Sequence, residues 1–96
     1  MNTAPTQQIA RQLIAYYRLK KFPPLSQLSG YVTTLKRIFA HRHPATVGDK
    51  ALLKLVKRSA ERGGPSKLFR SDLTELMTEI AVAFRFDVKS PDKTEV

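Results

Sequence analysis

The side chains in this chain whose types and spacing could do chemistry are cations on the segment 46–62. At 3.6 residues per helical turn, Lys50, Lys54, Lys57 and Arg58 share one side of this segment, opposite its apolar residues. Cations spaced one turn apart can follow a phosphate backbone, and each phosphate that they neutralise releases counterions. The row therefore predicts contact with a polyanion, although any amphipathic helix also needs a solvated side.

Further cations extend this surface past the glycine pair at 63–64 and onto the preceding segment. The predicted nucleic-acid-binding residues are Lys50, Lys54, Lys57, Arg58, Arg62, Lys67, Arg70 and Arg37. Base edges are usually read by bidentate Arg, Asn or Gln, and the exposed row has none of these before Arg58. The pattern therefore predicts contacts with the backbone of DNA or RNA and little sequence specificity.

The overall charge supports the same class of partner. The chain has 96 residues, with 17 Lys and Arg against 8 Asp and Glu, and a formal net charge of +9. No acidic residue precedes Asp49. Such asymmetry between halves indicates contact with nucleic acid, a membrane surface or an acidic protein.

An acid-free, arginine-bearing start is also typical of organelle transit peptides. Such peptides are rich in serine, whereas the first serine here is Ser26, and the apolar residues of 9–19 are needed for a core. No apolar run approaches the ~20 residues of a membrane span. We therefore expect a cytoplasmic protein with no membrane partner.

Catalytic and metal chemistry find little support in the sequence. The chain has no cysteine, and no glycine-rich phosphate loop follows a strand. His41 and His43 are two residues apart, so on a helix they point to different sides and cannot share a metal ion. We expect no catalytic residue, no cofactor and no metal site, and therefore no enzyme.

Two smaller groups of residues leave alternatives open. Aromatic side chains could stack on bases of single-stranded nucleic acid, with Phe69 or Tyr16 favoured over Tyr17 and Tyr31, although aromatics at helical spacing usually belong to a core. An acidic row consists of Asp72, Glu75 and Glu79. Interaction with the positive end of the helix dipole and pairing with neighbouring Lys or Arg explain this row better than binding of a divalent cation does.

Proline, glycine and capping residues divide the chain into helices. Apolar residues recur at helical spacing in four segments, roughly 6–21, 27–42, 46–62 and 71–86, and residues 87–96 are predicted to be a loose tail. Nothing alternates with the period of a strand over more than a few residues. The prediction is an all-α, single compact domain of about four helices with short joints.

Local signals place the ends of these helices. Phe22-Pro23-Pro24 stops the first helix, because a proline pair cannot continue one. Thr46 is the expected N-cap of the third helix, with Asp49 in position for a capping box, and Gly63-Gly64-Pro65 ends that helix.

The second and third helices also satisfy the outline of a helix–turn–helix, with the joint at 43–45 as the turn. In that arrangement Asp49, Lys50 and Lys54 are the expected exposed residues near the start of the third helix.

Two functional hypotheses follow. The first is a small, basic, helical nucleic-acid-binding protein, such as an accessory or regulatory component of a nucleoprotein complex. The alternative is a protein-interaction module that docks on an acidic partner, or forms a homodimer through an exposed apolar strip at Leu19, Phe22 and Leu25.

Overall fold

The computed structural model describes the backbone of residues 4–95 and the side chains of residues 4–85. Its elements are α1 (Pro5–Arg18), α2 (Leu25–His41), α3 (Val47–Arg62), a short 3₁₀ helix (Pro65–Lys67) and α4 (Arg70–Glu95). The described backbone contains no strand. The predicted all-α fold with four main helices is confirmed.

The backbone of α4 is helical as far as Glu95, beyond the end predicted near residue 86. The loose tail predicted for residues 87–96 falls on residues whose side chains lie outside the described part of the chain. It stays a prediction.

The core forms where the apolar sides of all four helices meet. α3 packs along α4 in the antiparallel direction, while α1 packs on α4 and α2 packs on α3. The largest fully buried side chains come from every helix and are Leu13, Leu35, Leu52, Leu55, Leu76 and Ile80. The helical spacing of apolar residues in the sequence therefore identified the residues that are buried in the core.

The ends of α3 follow the predicted local chemistry. The Thr46 hydroxyl oxygen accepts a hydrogen bond from the Asp49 N–H at 3.0 Å, which satisfies one of the free donors at the helix start. At the other end, Gly63 adopts a φ of 102°. Its N–H and that of Gly64 donate back to carbonyl oxygens of the last turn, in a Schellman arrangement.

The end of α1 has the same geometry with a different residue. The Lys20 N–H donates to the Tyr17 carbonyl at 3.1 Å, and the Lys21 N–H donates to the Tyr16 carbonyl at 2.9 Å. Lys20 has a φ of 58°, in the left-handed region that usually takes glycine. This turn places both lysines beside the start of α4.

The described helices include none that is both long enough and apolar enough to cross a lipid bilayer.

Candidate nucleic-acid interface

Three of the predicted cations lie in the seam between α3 and α4. Lys54 Nζ is 2.8 Å from Glu79 Oε1, and Arg58 Nη1 is 2.9 Å from Asp72 Oδ1 and 3.4 Å from Glu75 Oε1. The antiparallel packing of the two helices aligns the basic side of α3 with the acidic row of α4. The pairing predicted for that acidic row is therefore confirmed.

Asp72 is the centre of this ion-pair seam. Its side chain is only 4% exposed, and it accepts bonds from Arg62 Nε and Nη2, both at 3.0 Å. It also accepts from Arg58 Nη1 and from the Phe69 backbone N–H, each at 2.9 Å. One carboxylate thus closes the first turn of α4 and fastens that turn to the end of α3.

These bonds change the proton affinity of the groups involved. The Arg62 guanidinium, followed by the Phe69 N–H and Arg58, holds the pKa of Asp72 far below its ordinary value. Hydrogen bonds to Asp72 in turn raise the pKa of Arg58 and Arg62. Both arginines are therefore committed to a carboxylate that stays ionised.

The other predicted cations are exposed. Lys50 and Lys57 lie two turns apart on α3, with Lys50 bordering the groove between α3 and α4, while Lys67 is on the 3₁₀ helix and Arg70 begins α4. Arg37 is on the outer side of α2. No carboxylate within the described part of the chain forms an ion pair with any of these five.

The carboxylates show the reverse pattern. Among side chains 4–85, every carboxylate lies in an ion pair with a Lys or Arg of the same chain. These carboxylates are Asp49, Glu61, Asp72, Glu75 and Glu79. Over this part of the surface the excess positive charge has no unpaired acidic side chain to offset it.

A second group of cations lies at the end of the bundle where α4 begins. Lys20 and Lys21 border a cavity of about 200 Å³ between the α1–α2 joint and α4, together with Tyr17 and Thr74. The Arg70 guanidinium lies 5.3 Å from the centroid of the Phe22 ring, on the same joint. We call Lys20, Lys21, Lys67 and Arg70 the basic end.

Lys20 and Lys21 are outside the set of binding residues predicted from the sequence. The available signal was a lysine pair immediately before Phe22-Pro23-Pro24, in the half of the chain without acids. Their approach to Arg70 depends on how α1 packs on α4, and helical periodicity contains no information about that packing.

The aromatic residues divide into structural and exposed groups. Tyr31 is buried, and its hydroxyl bonds to Gln12 and Gln27. The Tyr16 hydroxyl donates to Gln27 Oε1 at 2.9 Å, so Tyr16 also belongs to the contact between α1 and α2. Burial raises the pKa of the Tyr31 hydroxyl.

Among the side chains of residues 4–85, two aromatic ones are exposed and available to a ligand. Tyr17 is 38% exposed and Phe69 is 57% exposed. The Arg62 guanidinium lies 4.5 Å from the centroid of the Phe69 ring, within the range of a cation–π contact.

The start of α3 differs from the helix–turn–helix expectation at one residue. Asp49 is buried, and its carboxylate pairs with Arg42 Nη2 at 3.4 Å. Asp49 lies in the first turn of α3, and its side chain faces the joint that leads from α2. Lys50 and Lys54 are exposed as predicted.

His41 and His43 are both exposed. Over the described residues, no three His, Asp or Glu side chains come together in a way that could hold a metal ion.

No protein-family model, curated protein or solved structure matches this chain.

Proposed function

We propose that the protein binds nucleic acid through the phosphate backbone. The observation that carries this proposal is the distribution of ion pairs. The described carboxylates are each held by a cation of the chain, while exposed lysines and arginines remain without a carboxylate partner. A polyanion approaching this surface meets cations that need not break an existing pair.

The proposed interface combines the basic end with the unpaired lysines of α3. Its residues are Lys20, Lys21, Lys67, Arg70, Lys50 and Lys57, with Arg37 on the neighbouring helix. A different role is assigned to Lys54, Arg58 and Arg62, because contact with phosphate would require them to leave Glu79 or Asp72. They hold α3 against α4 and so position the free cations.

We expect low sequence specificity, because five of the seven cations of this interface are lysines. Arg58 and Arg62 have the bidentate geometry that reads guanine, but Asp72 engages both guanidinium groups. Gln12 and Gln27 bond to each other and to tyrosines between α1 and α2. Lysines and the ends of helices contact phosphates without distinguishing bases. A surface of this kind suits a supporting component of a nucleoprotein complex.

Fluorescence anisotropy with labelled mixed-sequence DNA and RNA tests the proposal. At ~50 mM salt we expect binding to several unrelated sequences with similar affinity. If about five cations contact phosphates, a plot of log K against log salt concentration should fall with a slope of about −4 to −5. The absence of binding at this salt concentration, or a slope near zero, would contradict the proposal.

A second candidate function is interaction with another protein. Leu19 and Leu25 are 65% and 52% exposed beside the half-buried Phe22. An apolar groove of about 470 Å³ also lies between α3 and α4, with Val47 and Val82 on its walls. Exposed apolar surface of this kind is typical of contacts with an acidic partner protein or a second copy.

Size-exclusion chromatography with light scattering tests the self-association form of this alternative. A concentration-dependent dimer that the double variant Leu19→Ser with Leu25→Ser abolishes would favour it. A monomer at all concentrations, together with salt-dependent binding to nucleic acid, would favour the first function.

A further inference from the structure

Phe69 lies at the surface without a part in the core. Its side chain is 57% exposed, whereas the preceding Leu68 packs against the buried cluster. The short segment between the 3₁₀ helix and α4 is therefore anchored by Leu68. A polar residue at position 69 would serve the core equally well, so packing does not explain the aromatic ring.

The ring is nevertheless held in place. Arg62 lies over it at 4.5 Å, and Asp72 fixes Arg62 through two hydrogen bonds of 3.0 Å. The same Asp72 accepts the Phe69 N–H at 2.9 Å, which fixes the backbone that carries the ring. Arg62 covers only one face of the ring, and Phe69 is 57% exposed, so ring surface on which a ligand could pack remains open.

Cations flank this ring on both sides in the sequence. Lys67 is two residues before it and Arg70 is the next residue, and both are exposed without a carboxylate partner in the described chain. Arg70 is also restrained by its contact with Phe22. An immobilised ring with cations beside it matches the way proteins bind unpaired strands, through base stacking together with phosphate contacts.

We propose that the open face of Phe69 stacks on an unpaired base, so that single-stranded nucleic acid is the preferred ligand of the basic end. This inference rests on the proposed function. In a duplex the base faces are covered by neighbouring bases, so a duplex engages the cations and not the ring. Ordering of the ring before binding reduces the conformational entropy that stacking would otherwise cost.

A purely structural explanation makes a different prediction. If the ring only shields the Arg62–Asp72 pair, replacing it should affect stability and leave the preference among nucleic acids unchanged. Phe69→Leu separates the two explanations, because leucine keeps an apolar side chain over Arg62 and the backbone N–H that Asp72 needs. It removes only the π-face.

The absence of tryptophan from the chain provides a direct probe. Phe69→Trp places a single fluorophore at the proposed stacking position, and Val82→Trp places one at an equally exposed position on the groove wall of α4, away from the basic end. Each variant is titrated with oligothymidylate and with a duplex of the same length, while anisotropy follows binding independently.

We expect oligothymidylate to quench the fluorescence of Phe69→Trp strongly and the duplex to quench it weakly, whereas Val82→Trp, which shares a groove with Lys50, should be quenched to the same extent by both ligands. We also expect Phe69→Leu to weaken binding to the single strand by about fivefold to a hundredfold and to leave duplex binding unchanged. Circular dichroism and thermal melting confirm the fold of each variant.

Two results would overturn this inference alone: equal binding of the single strand by the wild type and Phe69→Leu, or bound oligothymidylate that does not quench Phe69→Trp. Failure of the wild type to bind any nucleic acid would overturn the proposed function as well.

Discussion

Asp72 shows how much of the molecule depends on one buried carboxylate. It accepts hydrogen bonds from two arginines of α3 and from the backbone N–H of Phe69, the residue before α4. A buried carboxylate is stable only when donors of this kind compensate for its lost hydration. Removal of either partner leaves the other as a buried charge without compensation, which costs free energy. The residue therefore joins the α3–α4 packing to the proposed interface.

Asp72→Asn should destabilise the protein. The amide keeps the size of the side chain, but it removes the charge that Arg58 and Arg62 need and replaces an acceptor oxygen by a donor. Because the arginine side chains are still 28% and 37% exposed, the cost is smaller than for a fully buried pair. We expect thermal melting to show a decrease in Tm of about 5 to 15 °C.

Glu75→Gln is the matched control, since this carboxylate is 55% exposed and lies 3.4 Å from Arg58. Its Tm should change by less than about 2 °C. Equal decreases in Tm for Asp72→Asn and Glu75→Gln would show that Asp72 contributes no more to stability than an exposed carboxylate does.

The depressed pKa of Asp72 also predicts how stability depends on pH. Its folded pKa lies below the unfolded value of about 3.9, so its contribution is nearly complete above about pH 5. The contribution is lost as the pH falls further towards the folded pKa, because the unfolded chain then binds the proton more readily. Urea denaturation should show wild-type stability falling below about pH 5.

In Asp72→Asn this acid-induced fall should be shallower, because the titrating group is absent. If the free energy of unfolding fell with the same slope against pH in both proteins between pH 4 and pH 2, the assignment of this effect to Asp72 would be contradicted.

The sequence predicted this residue only in part. Asp72, Glu75 and Glu79 recur at helical spacing, which was enough to predict an acidic row that pairs with nearby cations. The partners lie up to 25 residues away on another helix, as in the pair of Lys54 with Glu79. Periodicity within one helix contains no information about which side of α3 faces that row.

At the level of elements, the ends of α1 and α3 provide an internal comparison. Both helices end in a Schellman turn with a residue in the left-handed region. In α3 that residue is Gly63, whereas in α1 it is Lys20. A side chain costs free energy in this conformation, so the lysine is retained at some expense in stability.

Lys20→Gly should therefore separate stability from binding. We expect its free energy of unfolding to be unchanged or to increase by up to about 1 kcal/mol, because relief of the left-handed strain outweighs the added freedom of the unfolded chain. Its affinity for nucleic acid should decrease, since the basic end loses one cation. Chemical denaturation and anisotropy measure the two effects.

Lys20→Ala is the control, because it removes the same charge and keeps the strained backbone. It should bind as weakly as Lys20→Gly without the gain in stability. Wild-type affinity in both variants would exclude Lys20 from the interface.

The helix ends show why some local features were predictable. The Thr46 cap and the Gly63 stop each act through the residues beside them, so the sequence alone identified them. The left-handed Lys20 has no such signal, because lysine is not a residue that this conformation favours. The first helix was predicted to run to residue 21, whereas this turn ends it at Arg18.

At the level of the whole molecule, packing divides the cations into two groups. The sequence predicted one continuous basic face on the third helix. The structure instead pairs Lys54, Arg58 and Arg62 with carboxylates of α4, and leaves Lys50 and Lys57 exposed without a carboxylate partner in the described chain. Net charge could not show this division, because it depends on where the acids of α4 lie after folding.

The central claim is that unpaired cations bind phosphate and paired cations do not. Lys57 and Lys54 test it most directly, because they lie one turn apart on α3 and both are exposed. Lys57 has no carboxylate partner in the described chain, whereas Lys54 lies 2.8 Å from Glu79. Lys57→Gln and Lys54→Gln change the net charge equally, so any difference in binding reports local contact.

The decisive measurement is the salt dependence of nucleic-acid binding in the wild type and these two variants. We predict that Lys57→Gln reduces the magnitude of the slope of log K against log salt concentration by about 0.9, and that Lys54→Gln leaves the slope unchanged. Equal reductions in both variants, or a reduction in Lys54→Gln alone, would contradict the assignment of the free cations as the interface.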